Sequence, residues 1–207
     1  MIEEIKKGRL INGDCLDILK TTLSNIIDIV VTDPPYGIKY FHKYGWDKKL
    51  SGIEIWIEIL RVMKPGALAF VMCSPRQDVL SQQILILKTA GFEVGFTSLY
   101  WVYKTGMPKA KNMSHLSDGD QFQGAYAGFQ PKPTTEVILV AMKPLSEKSY
   151  TAQAKKNGKG ITYLDNCRIP VLGKDNQLSD RFMSNLIVSD KVLDPFNSYC
   201  GTISLMH

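Results

Sequence analysis

Residues 26–37 read IIDIVVTDPPYG and join an apolar strand to a rigid turn. Five of residues 26–32 are Ile or Val, a composition typical of a strand that is buried on both faces of a parallel sheet. Pro34 and Pro35 fix the backbone after it, and Pro34 biases the preceding Asp33 towards an extended conformation. Because ligands of open α/β sheets bind at the carboxyl ends of strands, this turn predicts a functional site. The alternative is an ordinary turn that carries a stacked tyrosine.

Outward from this stretch, short apolar runs alternate with helical patterns through the first hundred residues, which predicts an α/β sheet covered by helices. Further strands are expected at residues 9–12, 67–73 and 92–103, and helices at residues 15–23, 51–63 and 75–90. Ser51 is the expected N-cap of the second helix, and Pro65 with Gly66 its expected stop. Gly91 is expected to close the third helix.

The pattern changes after Lys104. Residues 105–131 contain four glycines and no sustained period, which is typical of a functional loop. A strong strand is expected at residues 134–142, followed by a lysine-rich helix or turn at about residues 150–157. The sequence therefore predicts one domain over residues 1–207, with a functional loop insertion at about 105–131.

Composition restricts the class of protein. The 207 residues are 44% hydrophobic and 22% charged, as in ordinary globular domains. The apolar runs fall well short of the roughly 18 residues that a membrane span needs, so we expect a cytoplasmic protein without membrane contact. The four cysteines form no CxxC pair, and we expect no metal site.

Charge is concentrated in one stretch. Residues 104–160 contain nine lysines and four acidic residues, so 9 − 4 = +5, which equals the net charge of the whole chain. This pattern is consistent with a polyanionic partner, and equally with a solvated lysine-rich surface.

The chemistry that suits the Asp33 turn is the activation of an amine. An exocyclic amine of a nucleobase is a poor nucleophile because its lone pair is delocalised into the ring. Two acceptors, here the Asp33 carboxylate and the Pro34 carbonyl, can hold its two N–H groups and stabilise positive charge in the transition state. Tyr36 would stack on the base, which must first be flipped out of the duplex.

Several segments resemble those of the amino-methylating DNA methyltransferases, which modify adenine N6 or cytosine N4 with S-adenosylmethionine. The likeness runs from about residue 9 to 193. It rests on LINGDCLDIL (10–19), NIIDIVVTDPPYGI (25–38), RVMKPGALAFVM (61–72), YWVYKTGMPKAKNMS (100–114) and QPKPTTEVILVAMKPLSE (130–147). The later segments are most similar to those of phage and prophage enzymes. The order of motifs resembles the permuted arrangement, in which DPPY precedes the cofactor glycine motif.

The resemblance implies a Rossmann-like methyltransferase sheet with helices on both faces, and it assigns roles to individual residues. Asp33, Pro34, Pro35 and Tyr36 would form the catalytic turn, with DPPY favouring adenine N6. Asp14, Cys15, Asp194 and Phe196 would bind S-adenosylmethionine, although Asp14 could equally be a helix N-cap. The insertion at about 105–131 would contact DNA. The phosphates of double-stranded DNA would be contacted by four lysines: Lys104, Lys109, Lys111 and Lys132. The aromatic rings of Tyr126 and Phe129 could stack near the flipped base. Trp46 and Asp47 would follow the loop that closes over the base.

The carboxyl end departs from the family. Family members carry a segment close to DPFxGSGTT, whereas this chain has Ser198 and Cys200 where glycines belong, and Gly201 and Thr202 fit only with a one-residue insertion. We therefore expect a truncated or degenerate cofactor motif, weak cofactor binding and exposed apolar faces of the sheet.

Two other classes of function remain open, an impaired enzyme and methylation of a different substrate. The chain could be an impaired methyltransferase that binds DNA or a second subunit, with a homodimer as one form of that partner. It could methylate cytosine N4 or RNA. Methylation of a protein glutamine is disfavoured because the enzymes of that class carry Asn where Asp33 stands.

Overall fold

The computed structural model describes residues 2–5, 8–38, 48–103, 110–114, 122–129, 131–172 and 178–188. Six residues with predicted roles lie outside these ranges: Trp46, Asp47, Lys104, Lys109, Asp194 and Phe196. The strands are β1 (Ile2–Ile5), β2 (Gly8–Ile11), β3 (Ile27–Thr32), β4 (Met63–Cys73), β5 (Leu99–Val102), β6 (Thr135–Met142), β7 (Ile169–Leu172), β8 (Leu178–Arg181) and β9 (Leu186–Val188).

The helices are α1 (Cys15–Thr21), α2 (Ile53–Val62), α3 (Gln77–Thr89) and α4 (Tyr150–Asn157), with a 3₁₀ turn at Leu164–Cys167. Each of the four predicted helical segments is confirmed, with ends that shift by one or two residues at most. Over the described ranges, no helix combines the length and the apolar character that crossing a membrane requires.

A central five-stranded sheet has the order β3-β4-β6-β5-β9. β3 is parallel to β4, and β5 is parallel to β9, whereas β6 runs antiparallel to both of its neighbours, β4 and β5. The α/β class is thus confirmed, with a mixed sheet. Because β6 runs the opposite way, its first residues lie at the edge where β3, β4 and β5 have their carboxyl ends.

Two further pairs of strands lie outside the central sheet. β1 pairs with β2, and β7 with β8, each antiparallel. The predicted strand at residues 9–12 therefore exists as β2 but belongs to a hairpin, because its partner is the chain that immediately precedes it.

The core lies on one face of the central sheet. Along β4, the alternate side chains Ala67, Ala69 and Val71 are at most 1% exposed, and they share a cluster with Trp56 of α2 and Leu87 of α3. Small residues in the strand let the larger helical side chains pack closely against the sheet. This face fixes the position of β4 and, through it, of β3.

The predicted burial of β3 on both faces is wrong for two side chains. Val30 packs against the core cluster, but Ile29 is 54% and Val31 73% exposed. Successive strand residues point to opposite faces, so Ile29 and Val31 lie on the face of β3 opposite to Val30, and the described elements leave that face open to solvent. The expectation of exposed apolar surface is confirmed for Ile29 and Val31.

Two predicted boundaries are wrong. The N-cap of α2 is Gly52 rather than Ser51. Pro65 and Gly66 do not stop the helix, because α2 has already ended at Val62 and β4 runs from Met63 through both residues. The chain reverses there with the help of Lys143, whose ammonium donates hydrogen bonds to the carbonyls of Arg61 and Met63.

The long β segment expected at residues 92–103 is also shorter than predicted. Only Leu99–Val102 forms a strand, while Glu93 makes an isolated bridge to Met142. Gly95 lies between these two pieces, and a glycine inside a strand weakens it because it offers no side chain to pack.

Candidate active site

The Asp33 turn lies at the carboxyl end of β3, as the sequence predicts. Tyr36 pairs with Leu50 in an isolated antiparallel bridge, which holds the turn against the segment that precedes α2. Gly37 follows with φ +66, and a Cβ there would lie 2.9 Å from the Leu50 nitrogen. The geometry therefore requires glycine at this position, and prolines on one side and a glycine on the other hold Tyr36 in place.

Within this turn, Asp33 is exposed and Pro34, Pro35 and Tyr36 are half-buried. The Tyr36 ring packs against the core cluster, while its hydroxyl donates a hydrogen bond to Oε2 of Glu136 at 3.4 Å. Burial raises the pKa of the Tyr36 phenol far above its usual range, and a hydrogen bond with Asp33 and the charges of Glu136 and Asp33 raise it further. The phenol is therefore neutral at any physiological pH.

Glu136 is the site residue that the sequence analysis missed. It is the second residue of β6, opposite Trp101 of β5, and it is half-buried. Burial raises its pKa, the Asp33 charge raises it further, and the Tyr36 hydrogen bond lowers it. The available signal was an acidic residue at the start of the apolar run TTEVILVAM, since a charge in a strong strand needs a partner.

Two more side chains end at the same edge of the sheet. Burial raises the pKa of the Cys73 thiol at the end of β4 to about 11, so this thiol is protonated at neutral pH. Just after β5, Tyr103 also has a raised pKa, through burial first and the Glu136 charge second. The surroundings of Glu136 are therefore partly desolvated and contain acidic and phenolic groups.

Asp14 occupies the N-cap of α1, the alternative that the sequence left open. Its Oδ1 accepts the backbone N–H of Leu16 at 2.9 Å and of Asp17 at 3.3 Å. Asp14 and Cys15 are both exposed. In the part of the chain that the structure describes, the second oxygen, Oδ2, has no hydrogen-bond partner, so capping leaves one acceptor for a ligand.

The described part of the insertion forms a short ladder. Asn112 pairs with Tyr126, and the Ala127 N–H donates to the carbonyl of Lys111 at 2.9 Å. Lys111 and Lys132 are exposed, and Phe129 is 92% exposed. The ladder therefore presents a lysine and an unburied aromatic ring from one connected piece of chain.

The arrangement around Asp33 can hold the N–H groups of an amine. Asp33 supplies an exposed carboxylate, and the half-buried Tyr36 and Glu136 lie beside it in a less polar environment. In such surroundings, acceptors aimed at developing positive charge are worth more than in bulk water. No group of three His, Cys, Asp or Glu side chains that could hold a metal ion occurs among the described residues.

Comparison with known proteins gives a family. Residues 27–185 match the N6/N4 methyltransferase family, described as DNA methylase. The chain is 31% identical over 237 aligned residues to the type II methyltransferase M.BamHI of Bacillus amyloliquefaciens, and the alignment covers 99% of this chain and 54% of M.BamHI. The chain thus spans about half the length of this relative.

Two solved structures are also similar. The cytosine-N4-specific PvuII DNA methyltransferase aligns with a TM-score of 0.49 at 13% identity, over 92% of this chain and 58% of its own. The M1.HpyAVI-SAM complex aligns with a TM-score of 0.41 at 18% identity, over 86% of this chain and 65% of its own. The family match, which spans more than half of the chain, carries the assignment. On this evidence, the chain belongs to the N6/N4 DNA methylase family.

Proposed function

We propose that the chain methylates an exocyclic amino group of a DNA base, with adenine N6 as the target. The observation that carries this proposal is the Asp33-Pro34-Pro35-Tyr36 turn at the carboxyl edge of β3, held by the Leu50 bridge on one side and by Glu136 on the other. Asp in the first position of this turn, rather than Ser, favours adenine over cytosine.

In the proposed reaction, the Asp33 carboxylate and the Pro34 carbonyl accept the two N–H groups of the target amine. Holding both protons localises the nitrogen lone pair, and the negative carboxylate stabilises the charge that develops on nitrogen. The Tyr36 ring stacks on the base, which is flipped out of the duplex. The methylated nitrogen then loses one proton to solvent by way of the exposed Asp33 carboxylate, and no covalent intermediate on the enzyme is needed.

The family's methyl donor is S-adenosylmethionine, and the described residues fit part of a site for it. Asp14 keeps one carboxylate oxygen without a hydrogen-bond partner in the described segments, as contact with the adenine end of the cofactor requires. We propose that Asp14 and Cys15 hold this end, and that Asp194 and Phe196 complete the site. When bound, the cofactor supplies an electrophilic methyl group.

The target base can be tested directly. Unmethylated DNA incubated with the full 207-residue chain and isotopically labelled S-adenosylmethionine should yield labelled N6-methyladenine on digestion and mass spectrometry. Labelled N4-methylcytosine instead would overturn the choice of base but keep the reaction. Label in neither nucleoside would contradict the proposed function.

The DNA surface is proposed to include Lys104, Lys109, Lys111 and Lys132. The exposure of Lys111, Lys132 and the Phe129 ring supports this proposal. Replacing Lys109 and Lys111 together with alanine should weaken binding to all DNA sequences alike and lower the salt slope by about 1 for each phosphate that is no longer neutralised. Fluorescence anisotropy over a range of salt concentrations measures both effects.

The matched control for this pair is Lys88→Ala, which removes an exposed lysine from the last turn of α3. Its salt titration should run parallel to that of the parent chain. If the Lys109/Lys111 variant also ran parallel, these lysines would be merely solvated. A weaker affinity for one sequence alone would assign them to base reading.

A second candidate function is that of an impaired methyltransferase that binds DNA or another subunit, including a second copy. The exposed Ile29 and Val31 side chains favour it, because contiguous apolar surface marks contact sites. Ser198 and Cys200 add side chains where family members have glycines against the cofactor. On this second candidate function, the isolated chain should bind S-adenosylmethionine weakly or not at all.

Isothermal titration with S-adenosylmethionine separates the two candidates. Micromolar affinity in the isolated chain would contradict weak binding and support the active enzyme. Sedimentation of the chain at several concentrations tests the partner, since self-association through the Ile29/Val31 face should diminish when Val31 is replaced by threonine. A strictly monomeric parent chain would rule out the homodimer.

A further inference from the structure

Glu136 contacts neither the target base nor the cofactor in the reaction proposed above, yet it reaches the catalytic turn from β6, two strands away from β3 in the sheet. It is 100 residues away from Tyr36 along the chain, and its Oε2 lies 3.4 Å from the Tyr36 hydroxyl oxygen. Burial of a carboxylate is unfavourable unless a hydrogen bond compensates, so this position has a cost in stability that an apolar residue would avoid.

We propose that Glu136 is a positioning residue, which accepts the Tyr36 hydroxyl hydrogen bond and so fixes the phenol ring beside Asp33 for stacking on the target base. This inference rests on the proposed methyl transfer. It assigns to Glu136 no contact with the substrate or the cofactor, and its effect on the reaction passes through Tyr36.

The position of the Tyr36 hydroxyl between two carboxylates explains why Glu136, rather than Asp33, should accept its hydrogen bond. The Tyr36 hydroxyl has a single proton and interacts with two carboxylates, Asp33 and Glu136. If the proton pointed to Asp33, it would occupy an acceptor that the target amine needs. When Glu136 accepts this hydrogen bond instead, the Asp33 oxygens stay available for the target amine. The Tyr36 ring is then held by a contact that does not compete with the substrate.

The inference also predicts a pH dependence. The titratable groups that interact with Glu136 are Asp33 and Tyr36 from the turn after β3 and Tyr103 from the end of β5, and Trp101 of β5 lies opposite it. Cys73 at the end of β4 interacts with Tyr36 rather than with Glu136. Raised pKa values keep three of the neighbouring groups neutral near pH 7: Tyr36, Cys73 and Tyr103. The Glu136 carboxyl group accepts the Tyr36 hydrogen bond more strongly when it is ionised than when it is protonated. The hold on Tyr36 should therefore strengthen as pH rises through the raised pKa of Glu136.

A double-mutant cycle measures the catalytic consequence. Glu136→Ala should lower kcat about tenfold with little change in the KM for S-adenosylmethionine, whereas Glu136→Gln, which keeps an acceptor oxygen, should recover part of that loss. In a Tyr36→Phe chain, Glu136→Ala should lower kcat no further, since the hydroxyl through which it acts is gone. A full tenfold loss in the Tyr36→Phe background would overturn positioning through Tyr36.

A second measurement does not depend on activity. In a chain carrying ¹³Cζ-labelled tyrosine, the Tyr36 resonance, assigned with Tyr36→Phe, should titrate with a midpoint above the ordinary glutamate range. This titration should vanish in Glu136→Gln and persist in the control Glu93→Gln, which changes an exposed glutamate that bridges to Met142 at the other end of β6. A Tyr36 resonance that titrates unchanged in Glu136→Gln would overturn the inference. A chain that transfers no methyl group contradicts the proposed function instead, and the Tyr36 titration then decides the inference by itself.

Discussion

Replacement of Asp33 by alanine is expected to lower the rate of methyl transfer by about a hundred- to a thousandfold, the usual effect of removing one group that stabilises transition-state charge. Asp33 is exposed, so the variant should keep the fold and its thermal stability. Asp33→Asn should lose most of the activity too, because an amide keeps one acceptor but loses the negative charge. Single-turnover transfer of labelled methyl groups to DNA measures the rate without interference from product release.

The matched control for this prediction is Asp28→Asn. It makes the same chemical change as Asp33→Asn, but at the opposite end of β3. Asp28 pairs with Lys64 at 2.8 Å and with Lys159 at 2.7 Å, and hydrogen bonds from these lysines lower its pKa to about 2. Its replacement should leave the rate of methyl transfer unchanged. If Asp33→Ala methylated DNA nearly as fast as Asp28→Asn, the amine-holding mechanism would be wrong.

The second large effect concerns the core. Trp56→Ala should lower the free energy of unfolding by about 3–5 kcal/mol, since it removes a large buried side chain and leaves a cavity. Trp56 is 1% exposed and is a member of the cluster between α2, α3 and β4. Urea denaturation followed by circular dichroism gives the change in free energy.

Trp56→Phe is the control that separates volume from hydrogen bonding. The Trp56 Nε1 is buried and lacks a hydrogen-bond partner among the described residues. Phenylalanine keeps much of the ring volume and removes this donor, so the loss should be only about 1 kcal/mol. Equal losses for the two variants would show that the indole N–H, through a contact outside the described residues, matters more than the ring.

Much of the fold follows from local patterns. Alternation of apolar runs with helical periods predicted α1 to α4 and the strands β3, β4 and β6, because each pattern depends on residues close together in the chain. The errors have tertiary causes. The apolar pattern of β3 indicates that it forms a strand, but not that Ile29 and Val31 stay exposed, since burial depends on which elements come to lie beside it.

In the candidate site, too, some residues follow from the local sequence and others only from tertiary packing. Asp33, Pro34, Pro35 and Tyr36 are adjacent in sequence, and two prolines restrict their backbone whatever the rest of the chain does, so the sequence by itself determined this turn, which we propose to be catalytic. Asp14 carried two local interpretations, and the structure shows the N-cap while leaving its second oxygen to the proposed cofactor contact.

Only the tertiary structure decided that Glu136 belongs to the site. Its contact with Tyr36 spans 100 residues and depends on β6 entering the sheet antiparallel between β4 and β5, in the register that places Val137 opposite Cys73. A shift of one residue would turn the Glu136 side chain to the other face of the sheet. The direction, order and register of strands are fixed by packing over the whole chain, and the short stretch TTEVILVAM contains no local signal for any of them.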